Sequence, residues 1–364
     1  MKPKIVFTGG GSAGHVTPNL ALIEATKEEN WQVDYIGARD SVEETIIKNH
    51  KTIPFHAISA GKLRRYFSWQ NFIDPFRIVV GIIQAYSLLR KLKADVVFSK
   101  GGFVAFPVVV GAWLNRIPVI IHESDMSPGL ANRLSFPFAD KICVNFEIAK
   151  EHFKKNDYIA VTGTPIRPKL FLGSRLRGLA YCHFSNEKPC LLVMGGSQGA
   201  SSLNAIVRQS LDHLTQRFQI IHLCGKGKKD LSLTEQKDYC QFEYIDEELP
   251  DLLAAADLVV SRSGANSLCE LLALQKPHIL VPLPLSASRG DQIQNANYFK
   301  QLGISCVLDN DTLTSQSLIQ AIKETYLIKE EIVMRIKALK IESATTKIIT
   351  LIKEQLHAES RNFV

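Results

Sequence analysis

The chain has 364 residues, long for one domain and comfortable for two. Its composition, 46% hydrophobic and 22% charged, is ordinary for a soluble globular protein, and no apolar stretch approaches the ~20 residues of a membrane span. The net charge is +7, and one stretch between Gly61 and Ala94 holds nearly all of it: Lys62, Arg64, Arg65, Arg77, Arg90, Lys91 and Lys93 against Asp74 alone. A local basic patch suits anionic lipid, phosphate or nucleic acid.

In chain order, strand-like runs cover Lys4 to Thr8, Gln32 to Ile36, Asp95 to Ser99, Val119 to His122, Lys141 to Val144 and Ile159 to Gly163. Helical stretches such as Asn19 to Glu29 and Val42 to Lys48 alternate with them. That alternation predicts a parallel, doubly wound α/β sheet. Prolines punctuate Gly163 to Pro168, and the pattern then restarts. Cys190 to Met194, Gln219 to Leu223, Phe242 to Ile245, Leu258 to Ser261 and His278 to Val281 read as a second set of strands, and Ile332 to Leu356 as helix. Seven cysteines, an odd number with no C-x-x-C pair, argue against a disulfide framework or zinc site and for a reduced compartment. No signal peptide is legible at the N-terminus.

The first apolar run leads into Thr8-Gly9-Gly10-Gly11-Ser12-Ala13-Gly14-His15. Gly9, Gly11 and Gly14 keep the spacing G-x-G-x-x-G of a dinucleotide-binding turn. The acidic partner that a nicotinamide site needs at the end of the next strand is misplaced, because Asp34 lies inside its run. His15 opens a helix at a strand's carboxyl end, where a histidine serves as a base or binds phosphate. Gly195-Gly196-Ser197-Gln198-Gly199-Ala200 is a second such turn, rich in backbone donors for phosphate. Gly101-Gly102 is a third glycine site, also after a strand. Ser263 and Gly264 can cap the helix that follows Ser261, which sets Glu270 about one turn in, where a carboxylate can take the hydroxyls of a ribose. Asp309-Asn310-Asp311 has the look of a metal signature and reads instead as turn and cap chemistry. Phe72, Phe76, Val79, Ile83 and Tyr86 share one helical face beside the basic patch, which reads either as a membrane-interfacial element or as a buried helix.

These motifs together resemble the MurG family, over nearly the whole chain. The resemblance rests on the G-S-A-G-H-V-T-P loop, Lys100-Gly101-Gly102-Phe103-Val104, His122-Glu123-Ser124-Asp125 and Pro128 to Asn132. It continues through Gly163 to Arg167, the G-G-S-Q-G-A loop, Arg262 to Ala265, Gly290-Asp291-Gln292 and Asn295-Ala296. It implies the GT-B fold, two Rossmann-like doubly wound domains facing across a cleft. Residues 1–163 would form the acceptor- and membrane-facing domain, with a terminal helix at about 342–364 packing back on it. Residues 164–341 would bind the nucleotide sugar. The implied reaction is inverting transfer of N-acetylglucosamine from its UDP form to the C4 hydroxyl of undecaprenyl-pyrophosphoryl-N-acetylmuramyl-pentapeptide (lipid I), giving lipid II for peptidoglycan. A related transferase acting on another lipid and, remotely, a nicotinamide oxidoreductase or a membrane adaptor are the alternatives.

By the same resemblance Ile245 contacts uracil and Glu270 the ribose. Ser197, Arg167, Ala265, Asn266, Ser267 and Leu268 hold phosphates or neighbouring groups, Gln292 the sugar, and Ser12, Ala13 and Gly14 line the facing loop. His15 is the favoured base, with Glu123 and Asp125 as rivals. Asp125 stands where the family commonly has asparagine, and Asp291 where it has glutamine. The acceptor's pyrophosphate is expected on the N-terminal glycine loops, and domain closure is expected to gate the reaction. No metal or tightly bound cofactor is implied, although a divalent ion could stimulate. The implied setting is peripheral, on an anionic membrane surface at the cytoplasmic face of the bacterial inner membrane, with other cell-wall or division proteins as further partners and no nucleic acid.

Overall fold

The structure, a computed structural model, describes residues 2–61, 70–153, 158–196 and 199–361, without the side chains of 70–73 and 358–361. Within those residues the chain forms two units, Met1–Arg167 with Glu342–Val364, and Pro168–Ile341.

The first unit holds seven parallel strands: β1 (Lys4–Thr8), β2 (Gln32–Ala38), β3 (Phe55–Ile58), β4 (Val96–Ser99), β5 (Val119–Glu123), β6 (Lys141–Val144) and β7 (Ile159–Val161). Their order is β3-β2-β1-β4-β5-β6-β7. The strands are apolar on both faces because helices cover both. Ile5 and Phe7 pack on one side with Val16 and Leu22, while Val6 points to the other, against Leu89, Val108 and Ala112. The C-terminal helix Ala344–Arg361 contributes Ile348 and Ile352 to the first of these clusters, and Lys353 pairs with Glu29 at 2.8 Å.

The second unit repeats the plan with β8 (Cys190–Met194), β9 (Gln219–Leu223), β10 (Tyr239–Phe242), β11 (Leu258–Ser261), β12 (His278–Leu280) and β13 (Ser305–Val307), all parallel, in the order β10-β9-β8-β11-β12-β13. In both units the order reverses beside the first strand. Ligands of doubly wound sheets bind at such a switch point, outside the carboxyl ends of the strands.

Four sequence expectations need correction. The first helix begins at Ala13, not Asn19, because Pro18 is tolerated in its early turns. The strand expected at Phe242 to Ile245 is β10, which ends at Phe242, so Ile245 lies in the following loop. β3 and β13 have no counterpart among the expected strands. The helix expected over Ile332 to Leu356 is two helices, Lys329–Ala338 and Ala344–Arg361, parted where Lys340 turns to φ +46° and the chain returns to the first unit.

Buried histidines brace the second sheet. His222 lies 2.9 Å from the Tyr239 hydroxyl and 3.0 Å from Asn204 Oδ1, and burial pushes its imidazole down to about 3. His278 lies 2.6 Å from Ser305 Oγ, and burial pushes it down to about 4. Unfolded histidines take up protons near pH 6.5 and these only near 3–4. Their contribution is therefore complete above pH 6.5 and is lost as pH falls through that window. We expect the thermal midpoint of the Pro168–Ile341 unit to drop between pH 6.5 and about 4, by the equivalent of a few kcal/mol. Calorimetry across that range reads it, and a flat midpoint would contradict neutral burial.

Candidate functional site

At the first unit's switch point the β1 and β4 turns interlock. Gly10 N donates to Gly101 O at 3.1 Å. Gly102 has φ +88°, and a Cβ there would lie 2.9 Å from Gly10 C and closer still to its carbonyl oxygen. Only glycine permits that approach. Beneath the loop, Tyr35 Oη donates to Gly9 O at 2.7 Å, and Asn19 Nδ2 donates to Thr8 O at 3.1 Å. Burial pushes the Tyr35 phenol up. Glu43, 1% exposed, accepts from Gly11 N at 3.0 Å and Ala38 N at 3.2 Å. No motif marks this carboxylate, because its bond to the glycine turn joins residues far apart in the chain.

Ser12 is the N-cap of the Ala13–Thr26 helix, and its hydroxyl lies 3.1 Å from His15 Nδ1. Gly11, Ser12 and Gly14 are exposed, Ala13 and His15 half-buried. Asp34, the acidic residue of the nicotinamide reading, is buried within β2 and pairs with His56 at 2.7 Å and Lys4 at 3.5 Å.

At the end of β5, Glu123 is 5% exposed and accepts from Asp125 N at 3.0 Å, Gly129 N at 3.0 Å and Asn132 Nδ2 at 2.9 Å. Three donors make it the clamp of the 124–129 loop, a poor position from which to receive a substrate proton. Asp125 is half-buried in that loop. Lys100, 2% exposed, donates to Ser124 Oγ, and Asn145 Nδ2 donates to Ser124 O at 2.7 Å. His122 is fully buried with Nε2 2.7 Å from Gly163 O, and burial holds its imidazole well below the usual range, so it stays neutral. Arg167, half-buried, ends this unit.

In the second unit Gly196 (φ +83°) and Gly199 (φ +68°) shape the turn after β8. Ser197 lies outside the described residues, as do Lys62, Arg64 and Arg65 of the basic patch and the side chain of Phe72. Gly264 caps the Ala265–Ala273 helix without a side-chain bond. The first backbone N–H groups of that helix, from Ala265, Asn266 and Ser267, have no intrahelical acceptor, and the helix dipole favours an anion there. Leu268 is buried beneath, and Glu270 is half-buried a turn further on. Gln292 joins this cluster: its carbonyl accepts from Ser263 Oγ at 2.8 Å, and its Oε1 accepts from Leu283 N at 3.2 Å. Ile245 is half-buried beyond β10.

Arg262, 6% exposed, donates to Val281 O at 2.9 Å, Pro282 O at 3.1 Å and Asn310 Oδ1 at 2.9 Å. Burial lowers its pKa. It ties the ends of β11 and β12 together. Asn310 is thereby committed to the fold, Asp309 accepts from Asp311 N at 2.7 Å, and Thr314 caps the next helix in a capping box. The D-N-D stretch is turn chemistry. Among the described residues no three His, Cys, Asp or Glu gather as metal ligands.

Comparison with known proteins locates this arrangement. The family model for the glycosyltransferase family 28 N-terminal domain matches residues 5–144, and that for its C-terminal domain residues 190–352. The chain is 60% identical, over all of both chains, to the UDP-N-acetylglucosamine--N-acetylmuramyl-(pentapeptide) pyrophosphoryl-undecaprenol N-acetylglucosamine transferase of Legionella pneumophila strain Paris. It is 51% identical to the transferase of the same description from Clostridium kluyveri, over 96% of this chain and 99% of that one. The crystal structure of Acinetobacter baumannii MurG superposes with a TM-score of 0.77 at 24% identity, covering 97% of this chain and 99% of that one, and shares the two-domain GT-B fold.

Proposed function

The chain belongs to glycosyltransferase family 28, and from that membership we propose that it transfers N-acetylglucosamine from its UDP form to the C4 hydroxyl of lipid I, forming lipid II with inversion at the anomeric carbon. The observation that carries this reading is the full-length identity to the Legionella transferase, whose name states the donor and the acceptor.

The residues fit named roles. Ser12 Oγ orients His15, which takes the proton of the attacking hydroxyl. The anomeric carbon gains positive character as UDP departs. The N-termini of the Ala265–Ala273 and Ser201–Gln209 helices, with Arg167, offset the charge of the leaving diphosphate. Glu270 takes the ribose, Gln292 the sugar and Ile245 the uracil. No tightly bound cofactor has a part, and a divalent ion at most stimulates.

The Gln70–Leu92 helix supports a peripheral membrane position. It buries Ala85 and Leu89 while Phe76 (74%), Val79 (55%) and Ile83 (60%) stand exposed on another face. The buried-helix reading describes the first face, and the exposed apolar face supports the membrane-interfacial one. Among the described residues no helix is long and apolar enough to cross a membrane. We place the enzyme on the anionic cytoplasmic face of the inner membrane, alongside other cell-wall proteins.

Transfer of radiolabelled N-acetylglucosamine from its UDP form to a short-chain lipid I analogue tests the reading. Labelled disaccharide-lipid supports it, whereas product only with other lipid acceptors would replace it. In the same assay Glu270→Ala should raise the donor KM about 10- to 100-fold, from the loss of a charged hydrogen-bond acceptor. An unchanged donor KM would remove Glu270 from the ribose site.

A further inference from the structure

A second polar site lies at the carboxyl edge of the first unit's sheet. It is a cavity of about 330 Å³ between the ends of β2 and β3 and the Gln70–Leu92 helix. Ala38, Ala57 and Ala60 keep its walls short, and Arg39 and Arg77 are the two basic residues that line it. Gln84 completes the wall, its Oε1 accepting from Ser59 N at 2.7 Å. Arg77 makes one 3.4 Å contact with Asp74, which leaves most of its five donors for a ligand. Glu44, the acidic neighbour of Arg39, is engaged by Lys48 at 2.7 Å and by Asp40 N at 2.6 Å.

We propose that this cavity seats the pyrophosphate of the lipid acceptor, between Arg39 and Arg77. The inference rests on the acceptor of the proposed function and adds where its charge is held. Three observations carry it. The first is charge. Arg39 and Arg77 line the cavity, with no acidic residue among the described residues of its lining. Guanidinium groups match phosphate oxygens in charge and geometry. The expectation that the acceptor's pyrophosphate rests on the β1 turn is the alternative to which an unchanged acceptor KM would return.

The second is the helix that supplies Arg77 and Gln84. On its adjoining face, Phe76, Val80 and Ile83 are exposed and form an apolar track beside the cavity. A ligand with a charged head and a hydrocarbon tail fits both faces at once. The third is spacing. β3, β2 and β1 are neighbours, and strands lie about 4.8 Å apart, so the cavity stands roughly 5–10 Å from the turn that launches His15. That is the scale of one hexose ring between its reacting hydroxyl and a phosphate at its anomeric carbon.

The test is steady-state kinetics of the full chain with UDP-N-acetylglucosamine and a soluble short-chain lipid I analogue. Arg39→Ala/Arg77→Ala should raise the acceptor KM about tenfold or more and leave the donor KM unchanged. Farnesyl pyrophosphate, which carries no sugar, should compete with the acceptor in the native enzyme and lose potency by a similar factor in the variant. Arg39→Lys/Arg77→Lys should recover part of both effects, which separates lost charge from damaged fold. An unchanged acceptor KM overturns the proposal. If flotation with anionic phospholipid vesicles falls at the same time, the cavity holds membrane head groups instead. Should the native enzyme transfer nothing to the analogue, the proposed function fails by itself. Calorimetric titration with farnesyl pyrophosphate then still decides whether the cavity takes a lipid diphosphate.

Discussion

Replacing His15 by alanine should lower kcat by about 10²–10⁴ and leave the donor KM within about threefold. The reason is local. His15 sits in the first turn of the helix that β1 feeds, at the switch point where doubly wound sheets place their ligands. Its Nδ1 lies 3.1 Å from Ser12 Oγ. In the tautomer whose Nδ1–H donates to that hydroxyl, Nε2 carries the lone pair that can accept a proton. Ser12→Ala should therefore cost only severalfold in kcat, because it removes an orienting contact and keeps the base. Glu123→Gln separates the rivals. Its carboxylate is occupied by Asp125 N, Gly129 N and Asn132 Nδ2, so its loss should disturb the 124–129 loop and lower stability along with activity. Near-normal turnover in His15→Ala would end its candidacy and pass the role to Asp125, for which Asp125→Asn is the direct check.

The contrast between His15 and Glu123 shows what could be read from the residues alone. Both stand at strand ends in recognisable motifs, and residue type makes both plausible bases. Only the three donors that the folded 125–132 segment closes on Glu123, above all Asn132 on the next helix, mark it as a clamp and leave His15 the better candidate base. The same division runs through the fold. β1, β6, β8, β9 and β11 are legible as apolar runs because a parallel strand covered on both faces has no polar alternation to blur it. β3 and β13 are short edge strands with His56 or Ser305 among few apolar residues, and they leave too little pattern. β10 was displaced for a related reason. Gln241, buried within it, accepts from Asp230 N at 2.9 Å, a contact that no local pattern records. The break at 339–343 is invisible because the apolar spacing of one helix continues into the next. The glycine turns were legible because an unusual backbone leaves its mark in composition, whereas Glu43 and Asn19 support the β1 turn, and Arg262 the β11 and β12 ends, through contacts set by the folded chain.

Gly102→Ala should destabilise the first unit by about 3–5 kcal/mol, and Gly11→Ala by only about 1–2 kcal/mol, although both glycines are left-handed, at φ +88° and +85°. The shared part is the strain of an L side chain at positive φ. The difference is what the new methyl meets. At Gly11 nothing lies within 4 Å. At Gly102 the methyl would press on Gly10 C at 2.9 Å and Gly10 N at 3.0 Å, and on the carbonyl oxygen more closely still. Backbone cannot rotate aside as a side chain can. The two turns must separate, which stretches the 3.1 Å bond from Gly10 N to Gly101 O. Overpacking of about 1–3 kcal/mol and a lost hydrogen bond of about 1 kcal/mol add to the strain. For a domain with roughly 5–15 kcal/mol in hand, the thermal midpoint should fall by about 10 °C, against a few degrees for Gly11→Ala. Transfer activity should fall with it below the midpoint, because separating the turns moves the start of the His15 helix away from the β4 end. Equal melting shifts for the two variants would mean that backbone strain alone sets the cost. The interlock of the β1 and β4 turns would then carry no stability of its own.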